Sequence, residues 1–356
     1  MRRRPPFLEC LTLFAFTPFA AAFQSNDFPD LLSPSTPVPT QGPERIELFP
    51  WEDPLTGWEP YQFSFLVRAR GLLDADDPFG EEDVRGFFLE DARVAISGAL
   101  SDSVNYRFTF DAGDEGERDS GELELLEGWA AFDLGATQHL TFGRFRRPFL
   151  RSSIVDQSTL AFFDRTVSGD LNNVYDDGVR VDGRYELVDL TFAIQNGADA
   201  TGDELRTTAR AELQLLGGGV PLEDALYRIE RTQQLSVGLA YADDTGLTSG
   251  DSIAIDAAWR YSRFGLSGEL LSNAEDVGDS RPWAIAAQWL PLPEEWVVGA
   301  RFQDYDDAND TQVLSALAKR YLVRGRIAGH FQIDLVETRN DFTEGWLFTV
   351  GTTLTF

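Results

Sequence analysis

The last residues of the chain, WLFTVGTTLTF at positions 346–356, alternate between large apolar side chains and small or polar ones. The apolar positions are Trp346, Phe348, Val350, Leu354 and Phe356. Consecutive side chains of a β-strand point to opposite faces, so a period of two predicts a strand with one apolar and one polar face. The stretch therefore predicts a final strand that has an apolar environment on one side and water on the other.

The same alternation recurs along most of the chain. It is clear in YQFSFLVRAR at 61–70, SVNYRFTFDA at 103–112, SIAIDAAWRY at 252–261 and RIAGHFQIDL at 326–335. About sixteen such segments are present, each near the roughly 9 to 11 residues that a tilted transmembrane strand needs. No stretch offers the roughly 20 consecutive apolar residues of a transmembrane helix, which excludes helical membrane proteins.

The connections between these segments separate two architectures, a soluble β-sandwich and a closed barrel. Short links such as SD at 101–102 mostly alternate with longer acidic ones such as LLDADDPFGEED at 72–83. Tight turns at one end and long loops at the other are typical of outer-membrane barrels. We therefore predict an all-β fold over residues 61–356, a transmembrane antiparallel β-barrel of about 16 strands. One link, residues 217–233, is long although it falls on the short-turn side.

Aromatic residues near strand ends, Trp129 and Trp289 among them, suggest bands at the two membrane surfaces. In a sandwich the same residues would be ordinary core side chains.

The N-terminus carries three consecutive arginines from Arg2, an apolar run over 7–19 and three alanines ending at Ala22. This order predicts a secretory signal peptide over residues 1–22, with a short buried helix as the alternative. The only cysteine, Cys10, lies inside it, so the exported chain would have neither disulfides nor metal-binding thiolates. Residues 23–60 are rich in proline and predict an irregular periplasmic lead-in.

The C-terminal residue, Phe356, falls on the apolar face of the predicted last strand. A terminal phenylalanine in this position resembles the signal by which the barrel assembly machinery recognises outer-membrane proteins. It predicts a chain placed in the bacterial outer membrane, in contact with lipid and lipopolysaccharide.

Several motifs occur in an order that resembles the phosphate-selective porin O and P family. LEDARVAISG at 89–98 comes first, and GRFRRPF at 143–149 is followed by a long loop, LRSSIVDQSTLAFFDRTVSGDLNNVY. DDGVRVDGRYE at 176–186 and LTFAIQNGAD at 190–199 follow. The resemblance implies a sixteen-stranded porin, usually a homotrimer, with the third loop folded into the lumen.

The stretch GRFRRPFLRSS gathers four arginines in a chain of formal net charge -29. An ion that enters a narrow pore loses hydration, and fixed groups of opposite charge replace the lost water. Arginine suits oxyanions because its planar fork donates two parallel hydrogen bonds and keeps its charge. We predict an anion-binding constriction that passes small anions, including phosphate or polyphosphate, formed by Arg144, Arg146, Arg147, Arg151 and Arg165.

A second set of arginines falls on the polar face of the predicted strands and so on the lumen side. This predicted ladder comprises Arg68, Arg70, Arg93, Arg107, Arg180, Arg184, Arg206, Arg210, Arg260, Arg301 and Arg326. Such a ladder would pass anions from site to site. The alternative is an ordinary polar lumen in which arginines pair with nearby Asp and Glu.

Other chemistry is sparsely represented. The acidic clusters at 74–77 and 304–310 are either calcium or lipopolysaccharide sites or solvated loop tips. The only histidines, His139 and His330, do not suit a barrel hydrolase, so we predict no enzyme, no cofactor and no metal. No nucleic-acid partner is expected.

Three functions stay open at this point. They are a passive anion porin, a general porin or one for other solutes, and a structural or adhesive barrel with a plugged lumen. The single lysine, Lys319, and the acidic loops leave the solute undecided.

Overall fold

The computed structural model describes residues 61–74, 86–113, 123–197, 205–244, 250–275, 280–323, 326–338 and 343–356. The predicted signal peptide and lead-in lie outside these ranges. Among the described residues, no helix is long and apolar enough to cross a membrane.

The described residues form sixteen antiparallel strands joined in chain order into a closed barrel. The strands are β1 (Gln62–Asp74), β2 (Gly86–Ser101), β3 (Val104–Asp111), β4 (Glu124–Asp133), β5 (Gln138–Arg146), β6 (Tyr175–Arg184), β7 (Val188–Asn196), β8 (Leu205–Leu216), β9 (Glu230–Asp244), β10 (Gly250–Ser262), β11 (Phe264–Glu275), β12 (Trp283–Leu292), β13 (Trp296–Asp304), β14 (Thr311–Val323), β15 (Ile327–Thr338) and β16 (Thr343–Thr355). The predicted barrel fold is confirmed.

The barrel closes between its first and last strands. Leu66 of β1 lies opposite Thr355 of β16, and the pairing continues to Asp74 opposite Leu347. Beyond β16, Phe356 exchanges two main-chain hydrogen bonds with Phe65, each 3.0 Å long. The C-terminal residue is thus part of the seam that closes the barrel.

The period of two separates the two faces of the sheet. Along β12, Ala284 and Gln288 are buried, whereas Ile285 and Trp289 are exposed on the outside. The outer face of the described strands carries many exposed apolar side chains, and the inner face carries most of the buried polar and charged ones. This distribution is the reverse of a soluble barrel with an apolar core.

The prediction that Trp129 belongs to an outer aromatic band is wrong. Trp129 lies opposite Arg107 in the sheet register and packs in a buried cluster with Phe145 and Ala193. Trp129 lies in the middle of β4 and not at a strand end, and it fills space on the inner face beside Phe145 of β5.

Three short helices interrupt the third loop, which we define as residues 147–174 between β5 and β6. They are α1 (Arg151–Ile154), a 3₁₀ helix (Gln157–Thr159) and α2 (Val167–Leu171). The loop contacts strands on the far side of the barrel, since Phe163 N donates to Gln332 of β15 at 2.9 Å. The predicted entry of the third loop into the lumen is therefore confirmed.

Candidate functional site

Strand β5 delivers the arginine-rich stretch into the barrel. Gly143 has a φ of +119°, and a Cβ atom there would lie 2.2 Å from the carbonyl oxygen of Gly128, so only glycine fits. Phe145 then points inward and is buried. Pairing with β6 ends after Arg147 N donates to Val174 O at 2.9 Å, because Pro148 has no N–H to continue the ladder. The chain is thereby released inward at Pro148.

Two of the predicted constriction arginines hold the end of helix α1. Arg146 Nη1 donates to the carbonyl oxygen of Val155 at 2.9 Å, and its Nε donates to the Tyr175 hydroxyl at 2.9 Å. Arg165 donates to the carbonyl oxygens of Ser152 at 2.5 Å and Val155 at 2.7 Å. The last carbonyls of a helix lack partners within the helix, and cationic side chains satisfy them. Both arginines therefore stabilise the folded loop.

The other three take different positions. Arg147 is buried, lies over the Phe149 ring at 4.5 Å and donates to Asn172 at 3.0 Å. Arg151 is buried and pairs with Glu212 of β8 at 3.3 Å. Arg144 is half-buried, with a guanidinium nitrogen 4.0 Å from Glu124. The structure brings the stretch together at the base of the loop, and its anion-binding role stays a prediction.

The barrel wall holds the loop through its main chain. Lys319 of β14 is 1% exposed and donates to the carbonyl oxygen of Leu160 at 2.6 Å. Arg301 of β13 donates to the carbonyl oxygen of Asp164 at 2.8 Å, and Arg68 of β1 donates to that of Phe163. Buried carbonyl groups need such partners, so these wall cations fix the path of the loop.

Apolar contacts complete the docking. Phe149 and Leu150 pack against inward-facing Ala240, Ala242 and Ala254. A second cluster joins loop residues Ala161 and Phe162 to wall residues Ala286 and Leu317, together with Ala225. Small side chains on the inner wall leave the space that the bulky loop residues fill.

Most ladder arginines lie inside the barrel beside carboxylates. The ion pairs are Arg68–Asp91 at 3.0 Å, Arg70–Glu90 at 2.5 Å, Arg93–Asp111 at 2.8 Å, Arg107–Glu127 at 2.9 Å, Arg180–Asp182 at 2.8 Å, Arg184–Asp189 at 2.9 Å and Arg210–Asp256 at 2.6 Å. Arg206 lies on the inner face of β8. Arg260 donates to the carbonyl oxygen of Glu223 at 2.5 Å. Arg326 lies exposed in the turn between β14 and β15.

The cations of the inner wall differ in their access to water. On the side formed by β10–β15, Arg301 is 4% exposed and Lys319 is 1% exposed. On the side formed by β3–β7, the side chains of Arg107 and Arg184 are 26% and 29% exposed. Arg107 and Arg184 therefore have more contact with water than Arg301 and Lys319.

Asp156 and Arg165 of the third loop have shifted pKa values. Burial alone would raise the pKa of Asp156, but hydrogen bonds from Ser158 and the nearby Arg146 guanidinium lower it to about 2. Burial, with repulsion from Arg146, lowers the pKa of Arg165 to about 9, so the side chain stays charged at neutral pH. At neutral pH both groups are charged and part of the folded loop.

Sequence reasoning missed the groups that dock the loop. Lys319, Gln303 and Gln332 each bond a loop residue, yet in the sequence they are single polar residues on amphipathic strands. A signal was present in the inward alanines of β10 and β12, because small residues facing a wide lumen indicate that something fills it. In the ranges that the structure describes, no group of three His, Cys, Asp or Glu side chains forms a metal site.

No protein-family model matches the chain, and no curated protein matches it. Solved structures do. The anion-selective porin from Comamonas acidovorans is 14% identical with a TM-score of 0.61, covering 83% of this chain and 99% of that one. The trimer form of OmpT, an outer membrane protein of Vibrio cholerae, is 9% identical with a TM-score of 0.58 over 83% and 99% of the two chains. The outer membrane channel DcaP of Acinetobacter baumannii is 13% identical with a TM-score of 0.56 over 83% and 97%. At these identities the likeness shows a shared barrel fold.

Proposed function

We propose that this chain is a porin of the bacterial outer membrane through which small solutes diffuse passively, with small anions, phosphate among them, as the favoured cargo. The observation that carries the proposal is a closed sixteen-strand barrel, within the described ranges, whose interior is charged and narrowed by an inward loop. A charged interior that water reaches suits a lumen through which solutes pass.

The outer face supports a membrane location. Ile253 and Ile255 of β10 are 53% and 47% exposed, and Val350 of β16 is 53% exposed. Exposed apolar side chains over a whole barrel surface are unfavourable in water at about 25 cal/mol per Å² and favourable in lipid. The trimer form of the Vibrio cholerae protein supports a homotrimeric assembly for this chain as well.

The arginines divide into two groups within the proposed pore. Arg147, Arg151 and Arg165 are buried in contacts that fold the third loop. Arg107 and Arg184 lie on the water-accessible side, where a passing anion meets them. Guanidinium groups beside a confined aqueous path lower the energy of an anion there, and the anion-selective porin from Comamonas acidovorans shares this fold.

A second candidate is a porin of weak selectivity. Both water-accessible arginines pair with a carboxylate, Arg107 with Glu127 at 2.9 Å and Arg184 with Asp189 at 2.9 Å. Each pair presents nearly balanced charge to the solute. This pairing favours a path through which anions, cations and neutral solutes all pass.

Bilayer electrophysiology tests the proposal and separates the candidates. The purified protein is inserted into planar bilayers, and the reversal potential is measured under a potassium chloride gradient. We expect a conducting, anion-preferring channel that phosphate partly blocks. Arg107→Gln should shift the reversal potential towards cations. Its matched control, Glu127→Gln, removes the opposite charge at the same place and should shift it towards anions.

The outcomes are distinct. A folded protein that never conducts refutes the channel, and a cation-selective wild type refutes the anion preference. Selectivity that neither substitution changes would mean that solutes do not pass the Arg107–Glu127 pair.

A further inference from the structure

A second segment enters the barrel from the end opposite the third loop. We call residues 217–229, between β8 and β9, the inward segment. It starts at three glycines with φ values of 61°, 78° and 86°, a left-handed turn that side chains other than glycine rarely adopt. The other described connections at this end are short turns, as between β4 and β5. The inward segment is therefore longer than the connection between two adjacent strands requires.

The inward segment is fastened to the inner wall. Val220 N donates to the hydroxyl of Ser236 at 2.8 Å. Gln288 of β12 makes two bonds, accepting from Leu226 N at 2.7 Å and donating to the carbonyl oxygen of Asp224 at 2.9 Å. Leu226 is 1% exposed and packs against Leu290 and Val297. Polar and apolar contacts with β9, β12 and β13 thus hold the inward segment in a single position on the wall.

The inward segment also meets the third loop inside the barrel. Ala161 N donates to the Asp224 carboxylate at 2.9 Å, and Ala225 N donates to the carbonyl oxygen of Thr159 at 2.8 Å. Arg151 adds a bond to the carbonyl oxygen of Val220 at 3.2 Å. Main-chain groups of two connections from opposite ends of the barrel are therefore bonded to each other.

Little free space remains around this junction. The cavity between the two connections and strands β10–β13 has a volume of about 60 Å³, room for only a few water molecules. Its lining includes Arg165 and Leu226, one from each connection. A cavity of this size has no room for a hydrated anion or a small metabolite.

We infer that the inward segment is a second constriction element, which docks on the third loop, closes the β10–β14 side of the barrel and confines solutes to the β3–β7 side. This inference rests on the proposed function. It makes Asp224 a positioning residue, because its carboxylate bonds the third loop while its carbonyl is held by the wall. The adjacent Glu223 is exposed and carries the same charge, so it provides a matched control.

The first experiment tests whether the two connections touch in the folded protein. Thr159 and Ala225 are changed to cysteine in a chain whose single cysteine, Cys10, is replaced by serine. Residues joined by main-chain N–H···O bonds between antiparallel segments lie roughly 5.5 Å apart at Cα, within the range of a disulfide. We expect the crosslink to form under mild oxidation and appear by mass spectrometry. A folded barrel in which it does not form overturns the inference.

The second experiment tests the consequence for passage. A shortened variant joins β8 to β9 with a turn like that between β4 and β5, and Asp224→Asn is compared with Glu223→Gln. We expect the shortened variant to conduct about twofold more, since conductance rises with open cross-section. Asp224→Asn should show brief openings to the conductance level of the shortened variant. Glu223→Gln should show the conductance of wild type.

The outcomes separate this inference from the proposed function. If wild type conducts and the folded shortened variant conducts equally, the inward segment does not confine passage. A silent wild type with a conducting shortened variant would mean that the inward segment plugs the barrel, and it would overturn the inference that a path stays open on the β3–β7 side. If neither conducts, the proposed channel fails and the confining role fails with it, while the crosslink still decides whether the segment docks.

Discussion

Replacing Arg146 with methionine should loosen the third loop without opening the barrel. The guanidinium makes two bonds of 2.9 Å, one to the carbonyl oxygen of Val155 and one to the Tyr175 hydroxyl. Hydrogen bonds to a charged group contribute about 1.5 to 3 kcal/mol each. Relief of the cost of burying the cation offsets part of that sum. We therefore expect the loop to lose about 3 kcal/mol of local stability.

Hydrogen exchange of the detergent-solubilised protein measures this loss directly. About 3 kcal/mol corresponds to roughly a hundredfold lower protection. The affected amides are those of α1 and the turn after it, where Ser153 N and Val155 N bond to Leu150 O and Arg151 O. Amides of the paired strands should keep their protection because their bonds are unchanged.

The matched control is Arg144→Met, two residues earlier in the chain. Arg144 is half-buried, and its contact with Glu124 is 4.0 Å long. Pairs of this kind contribute about 0 to 1 kcal/mol. Equal losses in both variants, or wild-type protection in Arg146→Met, would refute the assignment of Arg146 as the residue that fastens the loop.

Two further predictions concern the same region. Gly143→Ala should lower the yield of folded barrel and reduce its stability by about 3 kcal/mol or more, because φ at this position is +119° and the new Cβ would clash with the Gly128 carbonyl oxygen. The control is Gly135→Ala, which should be neutral because a Cβ there would have nothing within 4 Å. Heat-induced unfolding followed on gels compares the two variants. Asp156 stabilises the third loop as a carboxylate, and its pKa is lowered to about 2. Its contribution to loop stability is therefore complete above about pH 4 and is lost as the pH falls towards 2. Hydrogen-exchange protection of the loop amides, measured between pH 5 and 2.5, should fall in wild type and stay constant in Asp156→Asn.

The barrel was predictable because apolar and polar residues alternate along its strands. In β12, consecutive residues alternate between the two faces of the sheet, with Ile285 exposed on the outside and Ala286 buried on the inside. Trp129 was misassigned because it lies in the middle of β4, on the inner face opposite Arg107, and not at a strand end. Periodicity identifies two faces of a strand, but it does not say which face an isolated aromatic residue will pack on.

The candidate site was predictable only in part. The sequence showed arginines at the start of a long loop, and the structure places them there. It did not show their partners, because the carbonyls that Arg146 and Arg165 bind belong to a helix of four residues, too short for any periodic signal. The contact of Ala225 with Thr159 joins residues far apart in sequence, and nothing local in either stretch encodes it.

The seam between β1 and β16 joins the first and last strands of the barrel. Phe65 and Phe356 bond to each other although they are far apart in sequence, so closing the ring requires a contact of very large sequence separation. Until then the first and last strands present unsatisfied edges, the form of chain most prone to aggregation. The third loop and the inward segment lie between these strands in sequence, so both can meet inside an open sheet. Pairing of β1 with β16 therefore encloses the contact between the third loop and the inward segment inside the ring.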